Sequence, residues 1–415
     1  MRFFFYSHDG LGLGHVRRHV AIASALMRRA PEARILLATS VDEVSELGLP
    51  PHVDTLKLPG LRKVANGQYA ARRLGLERFE IHRLRSALLR AAVGSFEPDV
   101  VLVDRHPLGA GGEFREGLDV AKVAGCTVIL GLRDILDEPA LVRRELIASG
   151  LHHKIAEIFS QVLVYGDQQV FDPIEAYQLP PGLAAMIRFC GYVVNRWPPI
   201  SPEVWANSAA HAEERQPVVL GTTGGGEDGF PILREFVAAA AGTGWRAVAV
   251  TGPQLGEAEV ETLRESAAAN QVTLMRFIPS LPTVFDSVNA LVCMGGYNTL
   301  AEAAYKGMPT VCVPRITPRR EQLMRARRFE QFGLVRTLHP RELTRGRLRS
   351  EIQSALDTPR AELLERAHQV MNFDGASHVA QCLIDSAMSG LGKMPAALRL
   401  RRVPVRSGPV AAAGL

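Results

Sequence analysis

The chain has 415 residues, 47% of them apolar, enough for two ordinary domains with sizeable cores. Its five cysteines are scattered, odd in number and never spaced as CxxC, which argues against a disulfide framework or a zinc site and for a reducing cytoplasm. A formal net charge of +5 favours acidic ligands or an anionic membrane surface, but no basic run interleaved with aromatics points to nucleic acid.

The opening run "RFFFY" is too short for the apolar core of a secretory leader and runs straight into His8 and Asp9. No stretch approaches the roughly 18 to 20 uninterrupted apolar residues of a membrane-spanning helix. Strands are predicted at 2–6, 34–38, 99–103, 126–131 and 161–165, then at 217–221, 246–250, 272–276, 290–294 and 310–313. Between them, stretches such as 17–29 and 78–93 repeat apolar residues at three and four. This alternation predicts an α/β fold of mostly parallel sheets covered by helices on both faces.

The alternation breaks once, around 191–216, where Pro198, Pro199 and Pro202 mark a linker. The second half then restarts as the first began: "VVLGTTGGGEDGF" echoes "RFFFYSHDGLGLGH". The predicted organisation is an N-terminal Rossmann-like domain (1–195), a linker (196–216) and a second domain (217–365). A C-terminal helix (366–390) packs back on the first domain, and 391–415, rich in small residues, prolines and arginines, is predicted to be a disordered tail.

Each half opens with a strand, a glycine turn and a helix. That junction places free backbone N–H groups and the positive helix end at one spot, which suits phosphate. Gly10, Gly12 and Gly14 permit close approach of a ligand, Arg17 and Arg18 add charge, and Thr222, Thr223, Gly224 and Gly225 repeat the geometry with two hydroxyls. Neither loop is a dinucleotide fingerprint or a P-loop. A bare βα turn without ligand remains the alternative for each.

The most informative segment is "RFIPSLPTVFDSVNALVCMGGYNTLAEAAYKGMPTVCVPRITPRREQ", residues 276–322. It sets Gly295, Gly296, Asn298 and Thr299 at a helix start, with Glu302 one turn further in. A carboxylate there suits a ribose diol. Glu321 and Gln322 follow in a loop after the next strand.

These residues resemble the donor-binding half of GT-B glycosyltransferases, in particular glycosyltransferase family 28 and its peptidoglycan N-acetylglucosaminyl transferases. The resemblance implies a GT-B fold: two Rossmann-like domains facing each other across a cleft. It also implies that Phe277 and Ile278 meet the nucleobase, that Glu302 holds the ribose, and that Glu321-Gln322 contact the donor sugar. "GLGLGH" is similar to the family's N-terminal glycine loop, and Thr222 stands where the family has a serine. In "GYVVNRWPP", Asn195 or Arg196 occupies the place of a basic residue near the donor phosphates. The implied activity is transfer of a sugar, most simply from a UDP-linked donor, by an inverting and metal-independent route. The acceptor is not specified by any motif; the region 104–153 resembles uncharacterised bacterial glycosyltransferases instead.

His15 is the first candidate for general base, since imidazole titrates near neutrality and this one sits on a loop facing the cleft. Its alternative role is to bond the loop or an acceptor phosphate. Asp104 and His106, at a strand end, are rivals, and Asp134 in "LRDILD" is a third. Both aspartates could equally cap the helices that follow. Tyr297 either stacks near the donor or fills the turn. Arg319, Arg320 and Arg325 either reach phosphates or form a solvated helix face.

No metal ligand set and no cofactor are expected, only a nucleotide-sugar donor and an unspecified acceptor. The basic stretch 57–90 reads either as a peripheral contact with an anionic membrane at the inner face or as an acceptor-covering loop with an ordinary amphipathic helix. Two other functions fit the same fold: nucleotide-sugar hydrolysis or epimerisation, and non-catalytic nucleotide-sugar binding.

Overall fold

The computed structural model describes residues 1–7, 13–42, 44, 47–65, 68–196, 216–278 and 280–393. Gly10 and Gly12, most of the linker and the tail from 394 lie outside the described residues.

The first half builds a seven-stranded sheet in the order β3-β2-β1-β6-β7-β8-β9, parallel throughout. Its strands are β1 (Arg2–Ser7), β2 (Arg34–Thr39), β3 (Val53–Lys57), β6 (Val100–Asp104), β7 (Thr127–Arg133), β8 (Gln161–Tyr165) and β9 (Ile187–Phe189). A separate antiparallel hairpin, β4 (Leu61–Ala65) with β5 (Gln68–Ala71), precedes the helix Arg78–Phe96. The second half builds a six-stranded parallel sheet in the order β12-β11-β10-β13-β14-β15. These are β10 (Val218–Thr222), β11 (Arg246–Val250), β12 (Thr273–Met275), β13 (Ala290–Cys293), β14 (Thr310–Cys312) and β15 (Arg336–Thr337).

Continuous apolar strands are what a sheet covered on both faces requires. In β1, Phe3 and Phe5 enter one core while Phe4 and Tyr6 enter the other, and all four are fully buried. Each such ring contributes about 1.5 to 3 kcal/mol by leaving water. The core that takes Phe3 and Phe5 continues through Tyr192, Val193 and Val194 to Val218, Leu220 and Tyr297, so one apolar cluster joins both domains. The last helix, Gly375–Lys393, lies on the N-terminal sheet's side, where Gln161 Nε2 donates to Ser386 Oγ at 3.0 Å.

In both sheets the strand order reverses at the central pair, β1/β6 and β10/β13. Ligands of such sheets bind beyond the carboxyl ends of the strands at that reversal. The two reversal points face each other, and the site lies between them.

Candidate active site

A cavity of about 710 Å³ lies between the domains, within the range of small-molecule sites. From the N-terminal domain it is lined by the first turn of the helix Gly14–Arg29 and by Arg105 and Arg133. From the C-terminal domain come Thr222, Thr223, Gly224, Gly225, Phe277, Ile278, Gly296, Tyr297, Asn298, Thr299, Glu321 and Gln322. Gly295 sits just behind this wall: its φ of 81° and the Cys312 Sγ, 2.8 Å from where a Cβ would stand, leave room for glycine alone. Two helices point their N-termini into the space, Gly14–Arg29 and Tyr297–Tyr305, and neither has an acidic residue in its first turn. Asn298 Nδ2 ties them together by donating to Gly14 O at 2.9 Å.

His15 and Asp104, rivals in the sequence, are partners in the structure. His15 Nδ1 lies 3.1 Å from Asp104 Oδ2, and Arg18 Nη2 is 2.8 Å from that oxygen and 2.7 Å from Nδ1. With the Nδ1 proton directed at the carboxylate, Asp104 accepts from both neighbours and Nε2 is the unprotonated nitrogen, but the Nδ1–H then also faces the Arg18 donor at 2.7 Å. The opposite tautomer makes Nδ1 the acceptor from Arg18 and sets its lone pair against the carboxylate. Burial pushes His15 down to about 3; Asp104 opposes this, while Arg18 and Arg133 add to it. The ring is therefore neutral near pH 7. Burial acts to raise the Asp104 carboxyl, but Arg18, His15 and His19 together hold it below the usual carboxylate range. His106 follows in the same loop, its imidazole pushed well down by burial and by Arg105.

Glu302 is buried and binds Arg17: Nη2 of Arg17 reaches its two oxygens at 3.1 and 3.0 Å. The Asn195 backbone adds a further hydrogen bond to Glu302, and burial keeps its carboxyl raised against both. Glu302 thus faces the other domain behind the wall of the cavity. Arg196 is turned away from the cavity, donating to Phe373 O and Asp374 Oδ1 at 3.0 and 2.6 Å. Tyr297 fills the turn: its hydroxyl accepts from the Val193 N–H at 3.0 Å, and Arg18 and Arg325 lie over its ring at 5.1 and 5.6 Å.

Asp134 lies off the cavity in a buried interdomain contact, accepting from Arg325 at 3.2 Å and from the Tyr192 hydroxyl at 2.8 Å. Arg319 reaches Asp137 and Glu145, and Arg320 reaches Glu138. These three arginines bridge the domains, Arg325 buried, Arg319 mostly buried and Arg320 on the solvated side of the contact. Glu321 accepts from Arg315 at 3.0 Å, and Arg315 also holds Asp228. Sequence reasoning missed Arg105, Arg133 and Arg315. The first two end the apolar runs "VVLVDR" and "TVILGLR", a position that faces the crevice in any such sheet, and that was the available signal.

The stretch 57–90 forms the β4–β5 hairpin and the first turns of the helix Arg78–Phe96. Leu74 and Phe79 are 56% and 73% exposed there, beside Arg72, Arg73, Arg78 and Arg83. No helix among the described residues is long and apolar enough to cross a membrane.

Residues 223–381 match the glycosyltransferase family 28 C-terminal domain. The chain is a glycosyltransferase of GT-B fold whose second domain is similar to that of family 28. Among curated relatives, the UDP-N-acetylglucosamine--N-acetylmuramyl-(pentapeptide) pyrophosphoryl-undecaprenol N-acetylglucosamine transferase of Symbiobacterium thermophilum is 24% identical, over 90% of this chain and 94% of that one. Among solved structures, the glycosyltransferase VinC in complex with dTDP has a TM-score of 0.61 at 17% identity, covering 94% of the enzyme and 100% of VinC. MurG of Acinetobacter baumannii has a TM-score of 0.55 at 13% identity, covering 92% and 99%. The expected fold class is thereby met, two Rossmann-like domains forming one glycosyltransferase.

Proposed function

We propose that the enzyme transfers a sugar from a UDP-linked donor to an acceptor nucleophile, with inversion at the anomeric carbon and without a metal. The observation that carries this reading is the His15–Asp104 contact at the cleft, opposite the two glycine turns of the C-terminal domain. A donor diphosphate would rest against the N–H groups of 223–226 and 296–298 and the positive end of the helix Tyr297–Tyr305, which stabilise charge as it develops on the leaving group. Of the acidic residues lining this space, Asp228 and Glu321 are both bound to Arg315, and Glu302 behind the wall is bound to Arg17; Glu227 lines it as well.

In the proposed step, His15 Nε2 takes the acceptor proton while the acceptor oxygen attacks the anomeric carbon from the face opposite the diphosphate. The C–O bond to UDP breaks, and UDP leaves with the electron pair. The imidazolium forms beside Asp104, whose charge stabilises it. Similarity to the S. thermophilum transferase, whose name specifies UDP-N-acetylglucosamine, supports uridine as the base.

A thermal-shift series with UDP, GDP, dTDP, ADP and their common sugars tests the donor half. A ligand present at ~100 times its dissociation constant adds about 2.7 kcal/mol, an easily seen shift. Stabilisation by uridine nucleotides is the expected result; a flat series removes the donor reading. Release of free sugar or of an epimer without acceptor would instead favour hydrolysis or epimerisation.

A further inference from the structure

Most arginines near the cleft already have an anionic partner. Arg17 has Glu302, Arg18 has Asp104, Arg315 has Asp228 and Glu321, Arg319 has Asp137 and Glu145, and Arg325 has Asp134. Arg105 and Arg133 differ. Both line the cavity, and among the described residues neither makes an ion pair. Arg133 Nε and Nη2 are buried with no hydrogen-bond partner. Two of its three nitrogens thus lack both water and a partner, a costly arrangement that calls for an explanation, and a ligand reaching them from the cavity would supply one.

The backbone supports the same picture. Arg133 is the last residue of β7, and Arg105 directly follows β6, its neighbour in the sheet. Arg105 holds a φ of 67°, uncommon for a side chain of this size, and its N–H donates to Gly131 O at 2.8 Å. The strand ends thus fix two fork-shaped donors side by side on the N-terminal wall of the cavity. Arg133 is pushed down to about 9 by burial first and by Arg105 and Arg325 next, with Glu321 opposing. Glu321 lies across from them but forms no ion pair with either, its bonded oxygen being held by Arg315.

We infer that Arg105 and Arg133 form an oxyanion subsite on the acceptor side of the cleft, which takes a phosphate or carboxylate group carried by the acceptor. Two guanidinium groups meet such a group with parallel N–H donors, which gives orientation as well as affinity. Their place beside the His15–Asp104 pair means that the anion is anchored next to the attacking hydroxyl. The acceptor is then an anionic molecule, and a neutral analogue lacking that group binds poorly at the same hydroxyl position. This inference rests on the sugar-transfer reading for the word acceptor, but the anion site itself does not need it.

The test is calorimetric titration of inorganic phosphate into the full-length protein, alone and saturated with UDP. The expected result is binding of phosphate in both states, weakened ~10-fold or more by Arg133→Gln and by Arg105→Gln, with UDP affinity within about 2-fold of the parent. Displacement of phosphate by UDP would place the anion in the donor's diphosphate site and overturn the inference, as would phosphate binding unaffected by either substitution or no binding at all. Melting temperature supplies a second readout. Relief of like-charge crowding predicts that Arg133→Gln melts at or above the parent without phosphate, whereas a clear fall would assign Arg133 a structural role and overturn the inference. If UDP fails to bind while phosphate binding still depends on both arginines, the anion subsite stands and the donor reading falls.

Discussion

The Nδ1 of His15 stands 3.1 Å from the Oδ2 of Asp104, although one residue lies in the first turn of a helix and the other ends a strand far along the chain. On the proposed mechanism, the aspartate orients the ring and stabilises its charged form. His15→Ala is expected to lower transfer ~10²- to 10⁴-fold while leaving UDP affinity nearly unchanged. Asp104→Asn should also lower turnover, because an amide at that position no longer selects the Nδ1-protonated tautomer. Steady-state kinetics beside calorimetry separate the two effects, and full turnover by His15→Ala would remove it as the base.

Glu302 carries a different expectation. If it turns from Arg17 to a ribose diol, Glu302→Ala loses a charged hydrogen bond worth about 1.5 to 3 kcal/mol, so UDP should bind roughly ten- to a hundredfold more weakly. Arg17→Ala leaves the carboxylate in place for the ribose and should weaken UDP far less. Equal loss in both variants, measured by calorimetry, would mean that the pair acts only as a domain contact.

The buried histidines set an acid limit on stability. His19 is fully buried against Phe5, with both ring nitrogens lacking a partner, and burial pushes it down to about 4. Its pKa, like that of His15, is lower folded than unfolded. Between pH ~6.5 and pH ~4 the unfolded chain therefore binds more protons, and stability falls as pH falls through that window, by about 1.4 kcal/mol per pH unit for each histidine. His19→Leu should remove one proton's share of that slope in urea unfolding measured at several pH values; an unchanged slope would show that His19 does not titrate there.

Arg325 and Asp134 form a fully buried pair between the domains. Arg325→Met leaves the carboxylate without its cation and is expected to cost about 3 to 5 kcal/mol, with most of the loss recovered by adding Asp134→Asn. Denaturant unfolding of the single and double variants checks this, and additive losses would contradict it.

Peripheral membrane contact has its own signature. Phe79 and Leu74 are exposed beside four arginines, so the enzyme is expected to sediment with vesicles rich in anionic lipid, less so in high salt, and less for Phe79→Ser. Equal sedimentation of parent and variant would return this surface to an acceptor-covering role.

Much of the fold was legible in the residues. Apolar runs such as "FFFY" and "VVLVD" are buried on both faces and mark their strands unmistakably. The strand "VDTLK" was not legible, because β3 is an edge strand whose residues are all partly exposed and follow no apolar run. β9 and β15, three and two residues long, are too short to carry a period. The glycine turns and most donor-side residues were legible for a different reason: their chemistry is local, written in consecutive residues. The partners of Arg325, Arg319 and Glu302 were not, because each lies in the other domain and no local pattern records which carboxylate an arginine will meet.

The clamp formed by Arg319 and Arg320 stands immediately before Glu321 and Gln322 in the chain, and it grips Asp137, Glu138 and Glu145 of the other domain. Glu321 and Gln322, which the proposed function sets nearest the donor sugar, are therefore tethered to the N-terminal domain. On the proposed reading, an opened molecule keeps its hold on the nucleoside while the pocket around the sugar comes apart.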